Sequence, residues 1–395
     1  MNIRFLAQSD FFNGVHLKDD IILEKEYEKS SFNNLKKVHY YIYHLEDNVR
    51  KEILPRMDKI DVFQISDCMI RSDYVYFTEY DDQYDGTYVF NIIKYNYIED
   101  TYTVIITLKD DINHYPNNKQ IKIFILDDSN LILQRALKRN NLQDNYKGFF
   151  EFSSLLFNFA ENKQTPIVDE NITINGIDYI LPFKENTCIL KTGFSLYEDN
   201  RHELLSQEEA SVESLTMINI SQFISDLLLK QSSMIMQTLD QCFYDITISH
   251  AKIIDNYLIY SKYDFEKKRE LVNFLNLTTR ESIECINKNI TDKDSMAKNY
   301  IIDGVPHVRL DKDNKIEFFN LETKEVAATY PKSTDIKFIN NKLIVSKYKQ
   351  KALLGGYKDF VRIYTFPSTE IVLQEKGKYI GAIASDDDTT YIFLK

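Results

Sequence analysis

The segment Lys315–Tyr330 reads KIEFFNLETKEVAATY, in which two strand-like runs flank a polar turn. Apolar residues recur at every second position in each run, the pattern of strands with one buried face. The turn, NLETKE, contains neither Gly nor Pro. We therefore predict an antiparallel hairpin here, whose turn is made by Asn, Thr and charged residues.

The same pattern recurs along the chain. Hairpins of this type begin at Glu270 and at Phe360, 45 residues before and after Lys315. Two more strand-like runs precede some of them, as in DIKFINNKLIVSKY before Phe360. Each unit thus has four predicted strands. Less regular hairpins begin at three further positions, Tyr40, Thr87 and Gly193.

Four-stranded units of about 40–50 residues, each ending in a hairpin with an LETKE-like turn, resemble the blades of a β-propeller. The resemblance implies an all-β chain with a single propeller domain over residues 1–395. With a poorly defined hairpin near residues 149–159, the count is seven blades, and six or eight are the alternatives. The last segment, KYIGAIASDDDTTYIFLK, supplies two strands, so an N-terminal hairpin is expected to complete its blade.

No family within this fold is identified. The chain has no Trp and no regular Gly-His pair, so the WD-repeat signature is missing, and the glycine pairs of kelch repeats do not recur. Propellers carry many unrelated functions. The resemblance therefore implies no activity.

The repeat pattern fails between Ser206 and Asp240. Ser206 and Glu209 fit a capping box, and apolar residues then recur near helical spacing. We predict a helical insertion over residues 206–240, with a strand at LTMINIS as the alternative for its middle. Phe223 and Leu227 of the apolar stripe are candidate partner-binding residues.

A basic segment, KLIVSKYKQKALLGGYKDF from Lys342, stands out in a chain of net charge −12. We predict a long connection between strands here, where binding residues often concentrate. Several lysines beside tyrosines would give a small contact for an acidic partner. The candidate partner-binding residues are Lys347, Tyr348, Lys349, Lys351 and Tyr357.

The net charge and the distribution of apolar residues limit which classes of partner are expected. The net charge of −12 repels polyphosphate, so nucleic-acid binding is not expected. An acidic surface suits solubility or a basic protein partner. The chain has neither a membrane-spanning apolar run nor a signal peptide, so we expect no membrane association and a cytoplasmic location.

The sequence contains no complete motif for catalysis or metal binding. GxSxG, GxxxxGK[ST] and GxGxxG are all missing. The calcium-loop-like DKDNKIE from Asp311 reads better as a turn, because Lys and Ile occupy its fifth and sixth positions. Residues 386–388 are expected to form an Asp-rich turn, and His202–Glu203 lacks the second His of a zinc motif. Four dispersed cysteines predict free thiols, so no catalytic residue, metal or cofactor is assigned.

These observations favour a non-catalytic module that binds a protein partner through one propeller face. An immunity-like or antitoxin-like inhibitor of a basic effector is a narrower form of this hypothesis. One alternative is a carbohydrate-active hydrolase or lyase, with carboxylates converging at the channel mouth. Another is a structural subunit of a larger assembly.

Overall fold

The computed structural model describes residues 2–7, 14–27, 38–54, 70–71, 73–82, 87–111, 121–138, 150–193, 213–229, 237–242, 246–287, 299–312, 314–331, 335–339, 342–351, 356–384 and 389–395. These ranges contain 31 strands and two helices. No helix among them is both long and apolar enough to span a membrane.

The strands form eight sheets within the described residues, seven of four strands and one of three. They are the blades of a β-propeller, which confirms the predicted all-β fold. The chain divides into two compact units, each described separately below. The first comprises Met1–Asp82, Val89–Thr107 and Lys298–Lys395, and the second comprises Gln83–Tyr88 and Leu108–Ala297.

The first unit holds most or all of five blades. Blade 1 contains β2 (Gly14–Lys18), β3 (Ile21–Tyr27), β4 (Val38–His44) and β5 (Val49–Glu52). Blade 2 contains β6 (Ile70–Arg71), β7 (Tyr74–Asp82), β8 (Thr87–Asn96) and β9 (Thr101–Asp111). Blade 6 contains β22 (Asn299–Ile302), β23 (Val305–Asp311), β24 (Lys315–Asn320) and β25 (Val326–Pro331). Blade 7 contains β26 (Asp335–Phe338), β27 (Leu343–Lys351), β28 (Tyr357–Thr365) and β29 (Ile371–Lys376). Blade 8 contains β30 (Tyr379–Ala384), β31 (Thr389–Leu394) and β1 (Asn2–Ala7).

The second unit holds three blades and both helices. Blade 3 contains β10 (Ile121–Ile125), β11 (Asn130–Lys138), β12 (Phe150–Asn158) and β13 (Lys163–Pro166), followed by helix α1 (Glu170–Asn175). Blade 4 contains β14 (Ile177–Lys184), β15 (Thr187–Thr192), β16 (Glu213–Asn219), helix α2 (Ile220–Leu228) and β17 (Gln237–Cys242). Blade 5 contains β18 (Ile246–Ile254), β19 (Tyr257–Asp264), β20 (Arg269–Asn276) and β21 (Ser282–Asn287).

The preferred count of seven blades is corrected to eight, one of the stated alternatives. Counting hairpins misses blade 8, because a single strand from the start of the chain completes its three-stranded sheet. That strand, β1, runs parallel to β31, from Asn2 opposite Thr389 to Ala7 opposite Leu394. The expected N-terminal hairpin in this blade is therefore wrong. Parallel pairing also cannot be made by a tight turn, so it leaves no local signal.

Apolar side chains of neighbouring blades pack together inside each unit. Between blades 6 and 7, for example, Phe318, Tyr330 and Ile344 are buried in one cluster. Phe318 and Tyr330 meet edge to face, with ring centroids 5.8 Å apart and an interplanar angle of 82°. Full burial of one such side chain contributes roughly 1.5–3 kcal/mol, which explains why Tyr, Phe and Ile dominate the strands.

A recurring five-residue turn accounts for the scarcity of Gly and Pro. Asn320 ends β24, and its Oδ1 accepts hydrogen bonds from Glu322 N at 2.9 Å and Thr323 N at 3.0 Å. The fifth residue, Lys324, has a φ of 62°. The same arrangement joins strands in other blades, with a side-chain acceptor first and a left-handed residue fifth: Asn96 with Asp100, Asn158 with Asn162, Asp264 with Lys268, and Asn276 with Arg280.

The helical insertion is shorter than the predicted segment 206–240. Its helix, α2, begins after Asn219, whose side chain accepts a hydrogen bond from Gln222 N at 3.0 Å. The preceding residues, Glu213–Asn219, are a strand that pairs with β15 from Ser214 to Asn219. The alternative reading of LTMINIS as a strand is therefore correct for residues 215–219. Residues 206–212 and 230–236 of the segment lie outside the described residues.

Candidate functional site

The basic segment forms part of a strand pair and not the predicted connection. β27 and β28 pair from Leu343 opposite Thr365 to Lys351 opposite Tyr357. Only residues 352–355 between the two strands lie outside the described residues. We call residues 347–351 and 357–362 the basic ribbon. The prediction failed because alternating Lys, Tyr and Gln side chains give no apolar face by which a strand is recognised.

The lysines of β27 share one face of the basic ribbon. Side chains two residues apart in a strand point to the same side, so Lys347, Lys349 and Lys351 form a row. Directly opposite residues also share a face, which adds Asp359 and Tyr357 beside the last two lysines. Tyr357 is 71% exposed. This face thus offers ammonium groups and one accessible phenol ring to solvent.

An aromatic stack occupies the opposite face of the basic ribbon. The rings of Tyr348 and Phe360 lie 5.3 Å apart at an interplanar angle of 21°. The guanidinium carbon of Arg362 lies 3.9 Å from the centroid of Tyr348. Arg362 also donates a hydrogen bond from Nε to Gln374 Oε1 at 3.1 Å. These contacts hold the two strands in register and so position the lysines on the other face.

The basic ribbon carries a local excess of positive charge. It has five basic side chains, those of Lys347, Lys349, Lys351, Lys358 and Arg362, against one carboxylate, that of Asp359. Lys349, Lys351 and Lys358 are exposed and form no ion pair within the part of the chain that the structure describes. Their charge is therefore available to attract an acidic group.

The two candidate residues of the helix are buried. Phe223 is 2% exposed and Leu227 is 4% exposed, and both pack in a core cluster with Ile132 of β11 and Leu190 of β15. Their burial argues against direct contact with a partner. The exposed apolar side chains at the end of this helix are those of Leu228 and Leu229. An amphipathic pattern shows that one face is apolar but not what covers it.

The structure brings together a buried ionic cluster that sequence reasoning missed. Lys191 Nζ lies 3.2 Å from Asp178 Oδ2 and 3.1 Å from Glu213 Oε2, and its side chain is fully buried. It also donates a hydrogen bond to Gly193 O. The three charged residues come from β14, β15 and β16 of blade 4. Only the register of that sheet brings them together, so no local motif could reveal them.

Hydrogen bonds extend the cluster to both neighbouring blades of the second unit. On one side, Lys122 Nζ in blade 3 lies 3.0 Å from Asp178 Oδ1. On the other, Glu213 accepts hydrogen bonds from Thr247 Oγ1 at 2.6 Å and Ile248 N at 2.9 Å in blade 5. Both carboxylates are thus occupied by donors, as expected of a structural ion pair.

Gly176 follows the end of α1 and allows the chain to turn into β14, which carries Asp178 of the ionic cluster. Its φ is 68°, and a Cβ atom there would lie 2.7 Å from Cγ of Phe152. Only glycine therefore fits this position. The chain then enters β14 at Ile177, one residue before Asp178, which places that carboxylate beside Lys191.

The described cysteines are free thiols, as predicted. Cys188 and Cys242 are buried and Cys285 is half-buried, while Cys68 lies outside the described residues. Burial raises the pKa of Cys242 to about 11. The thiol is then protonated at neutral pH, so it is a poor nucleophile.

The other motifs give no site within the described residues. Asp311 ends β23, Lys315 begins β24 and Lys312 N donates to Lys315 O at 2.9 Å, so a short connection joins the two strands where the turn was predicted. Residues 386–388 and the pair His202–Glu203 lie outside the described residues. In the described part of the chain, no group of three or more His, Cys, Asp or Glu side chains could hold a metal ion.

No family model and no curated protein matches the chain. Among solved structures, it is similar to the β-propeller domain of the Trilobed protease from Pyrococcus furiosus, at 8% identity and a TM-score of 0.43 over 94% of this chain and 96% of that one. It is also similar to a prolyl endopeptidase, at 7% identity and a TM-score of 0.41 over 90% and 46% of the two chains. An apocarotenoid oxygenase from Synechocystis gives 8% identity and a TM-score of 0.37 over 70% and 61%. Likenesses this distant carry no argument about function.

Proposed function

We propose that the chain is a non-catalytic interaction protein that holds an acidic protein partner on the basic ribbon. The observation that carries this proposal is the row formed by Lys347, Lys349 and Lys351, the last two of which are exposed, in a chain of net charge −12. Like charges close together on one sheet face repel each other, and an acidic partner that binds there relieves this repulsion. Complementary charge also accelerates encounter and excludes wrong partners.

The ribbon supports a defined contact because its aromatic face is ordered. The stacked side chains of Tyr348, Phe360 and Arg362 restrain the main chain of β27, which carries the lysines on its other face. Less conformational entropy is then lost when a partner binds. The exposed ring of Tyr357 adds an amphipathic surface next to Lys351, and Tyr and Arg are enriched at protein interfaces.

Charge reversal tests this proposal. We would measure binding of fluorescently labelled dodecaglutamate by anisotropy to the wild type and to the double variant Lys349→Glu/Lys351→Glu. A matched control is Lys163→Glu/Lys324→Glu, which reverses two exposed lysines in blades 3 and 6. We expect the first variant to bind about tenfold more weakly or worse and the control to bind like the wild type. Equal binding by all three proteins would overturn the proposal.

A further inference from the structure

One hydrogen bond shows in which direction the main-chain N–H and C=O groups of the basic ribbon point. Gly377 N donates to Asp359 O at 3.0 Å, so the main-chain polar groups of Asp359 point towards β29. In an antiparallel strand the N–H and C=O of one residue point to the same side, and this side alternates along the strand. Asp359 and its opposite residue, Lys349, are therefore a non-hydrogen-bonded pair.

The main-chain groups of Lys349 consequently point away from β28. By the same alternation those of Lys351 do too, while Gln350 is turned towards Lys358 and bonds within the ribbon. The neighbour on the outward side of β27 is β26, whose pairing ends with Asp335 opposite Lys347. Within the described residues, no strand pairs with Lys349 or Lys351 on that side. Among the described residues, the main-chain donors and acceptors of these two exposed lysines thus have no strand partner on that side.

We infer that the acidic partner binds as an extended segment that adds a strand to β27 at Lys349–Lys351. This inference rests on the proposed function, because it assumes that the basic ribbon is the binding surface. Strand addition satisfies exposed main-chain groups at a sheet edge and leaves specificity to alternate side chains. Charge complementarity with the lysine row makes an acidic segment the occupant.

The geometry specifies the spacing of the acidic residues. A residue directly opposite Lys349 in the added strand has its Cβ about 4.5–5.5 Å from that of the lysine, on the same face. The residue opposite Lys351 is two positions away and on the same face. The matching segment therefore has carboxylates at every second position. An acidic helix or a polyphosphate could contact the lysine side chains but would leave the main-chain groups unpaired.

Amide hydrogen exchange with a defined peptide tests the inference. The probe is acetyl-Glu-Thr-Glu-Thr-Glu-Thr-amide, and exchange is followed by NMR on the full chain. At saturating peptide, we expect exchange at the Lys349 and Lys351 amides to slow at least tenfold. Exchange at Gln350, which is already paired with Lys358, should change far less and is an internal control.

Two N-methylated peptides make the experiment decisive. One is methylated at every Glu nitrogen and the other at every Thr nitrogen, so only one of them blocks the set that faces β27. We expect the peptide methylated at Glu to bind at least tenfold more weakly and the one methylated at Thr to bind like the parent, because the residues opposite Lys349 and Lys351 turn their main-chain groups towards β27. If both methylated peptides bind normally and the lysine amides gain no protection, strand addition is wrong although acidic binding stands. If no peptide binds, the proposed function itself fails.

Discussion

Lys191 and Glu213 form an ion pair that is buried in blade 4. The two charged atoms lie 3.1 Å apart, and the side chains are 0% and 3% exposed. Through Thr247 and Ile248 the Glu213 carboxylate also holds the first strand of blade 5. The pair therefore joins the middle strands of blade 4 to the next blade within the second unit.

Removing one member of this pair should be costly. In Lys191→Met, Asp178 and Glu213 lose their shared cation while both stay in the protein, and breaking a buried pair costs about 3–5 kcal/mol. We expect a loss near the lower limit of about 3 kcal/mol, because Lys122, Thr247 and Ile248 still contact the carboxylates. Urea denaturation measures this, with the exposed Lys163→Met as the control. A loss no larger than that of the control contradicts the structural role of the cluster.

The Asn-led turn should stabilise the hairpin at Lys315–Tyr330. In Asn320→Ala, the amides of Glu322 and Thr323 lose their acceptor, so we expect a loss of about 1 kcal/mol in the free energy of unfolding. Thr323→Ala keeps both hydrogen bonds and should change it by less than about 0.5 kcal/mol. Denaturation curves of the two variants should therefore separate. Coincident curves would show that the side-chain hydrogen bonds do not stabilise the turn.

Core and surface positions of α2 should behave differently. Phe223→Ala opens a cavity among buried residues of blades 3 and 4 and is expected to cost about 3–5 kcal/mol. Leu229→Ala, at a position that is 66% exposed, should cost less than about 0.5 kcal/mol. Thermal or urea unfolding checks both values. A small effect of Phe223→Ala would restore this residue as a candidate contact for a partner.

His307 should make the stability of the chain depend on pH. Burial lowers the pKa of this imidazole below 6.5, although the Val305 carbonyl at 2.9 Å and the charges of Glu322 and Asp303 act in the opposite direction. Between the folded pKa and 6.5 the unfolded chain binds more protons than the folded chain. The contribution of His307 to the free energy of unfolding is therefore fully present above pH 6.5, and it is lost as the pH falls from 6.5 through the folded pKa.

The variant His307→Gln isolates this contribution. We expect the free energy of unfolding of the wild type to decrease relative to that of the variant as pH falls from 7.5 to 5, measured by urea denaturation at each pH. For the control Thr323→Ala, which changes an exposed residue that does not titrate, the free energy of unfolding should follow that of the wild type over the same pH range. Parallel curves for wild type and His307→Gln would be inconsistent with the lowered pKa.

The hairpins were predictable because their signal is local. Alternation in KIEFFN and in VAATY indicates strands, and the polar residues between them indicate a turn. The eighth blade had no such signal, because β1 and β31 come from opposite ends of the chain. Strand pairing at long sequence separation is encoded in packing and register rather than in a local pattern.

The candidate site was predictable in composition but not in structure. The lysines and tyrosines of residues 347–357 stand out against the acidic background, yet their strand register and the extent of their described pairing depend on β26 and β29. For α2, the periodic apolar residues showed a helix but not that Phe223 is covered by blades 3 and 4. The ion pairs of Lys191 had no local sign in the sequence at all, because its partners Asp178 and Glu213 lie on other strands.

The most direct test of binding by the basic ribbon is a charge swap measured by isothermal titration calorimetry. Wild type and Lys349→Glu/Lys351→Glu are each titrated with the Glu-Thr hexapeptide and with its Lys-Thr counterpart at one ionic strength, with Lys163→Glu/Lys324→Glu as the control. We predict that the wild type and the control prefer the glutamate peptide and that the ribbon variant prefers the lysine peptide. The account is contradicted if the ribbon variant binds the glutamate peptide as tightly as the wild type does.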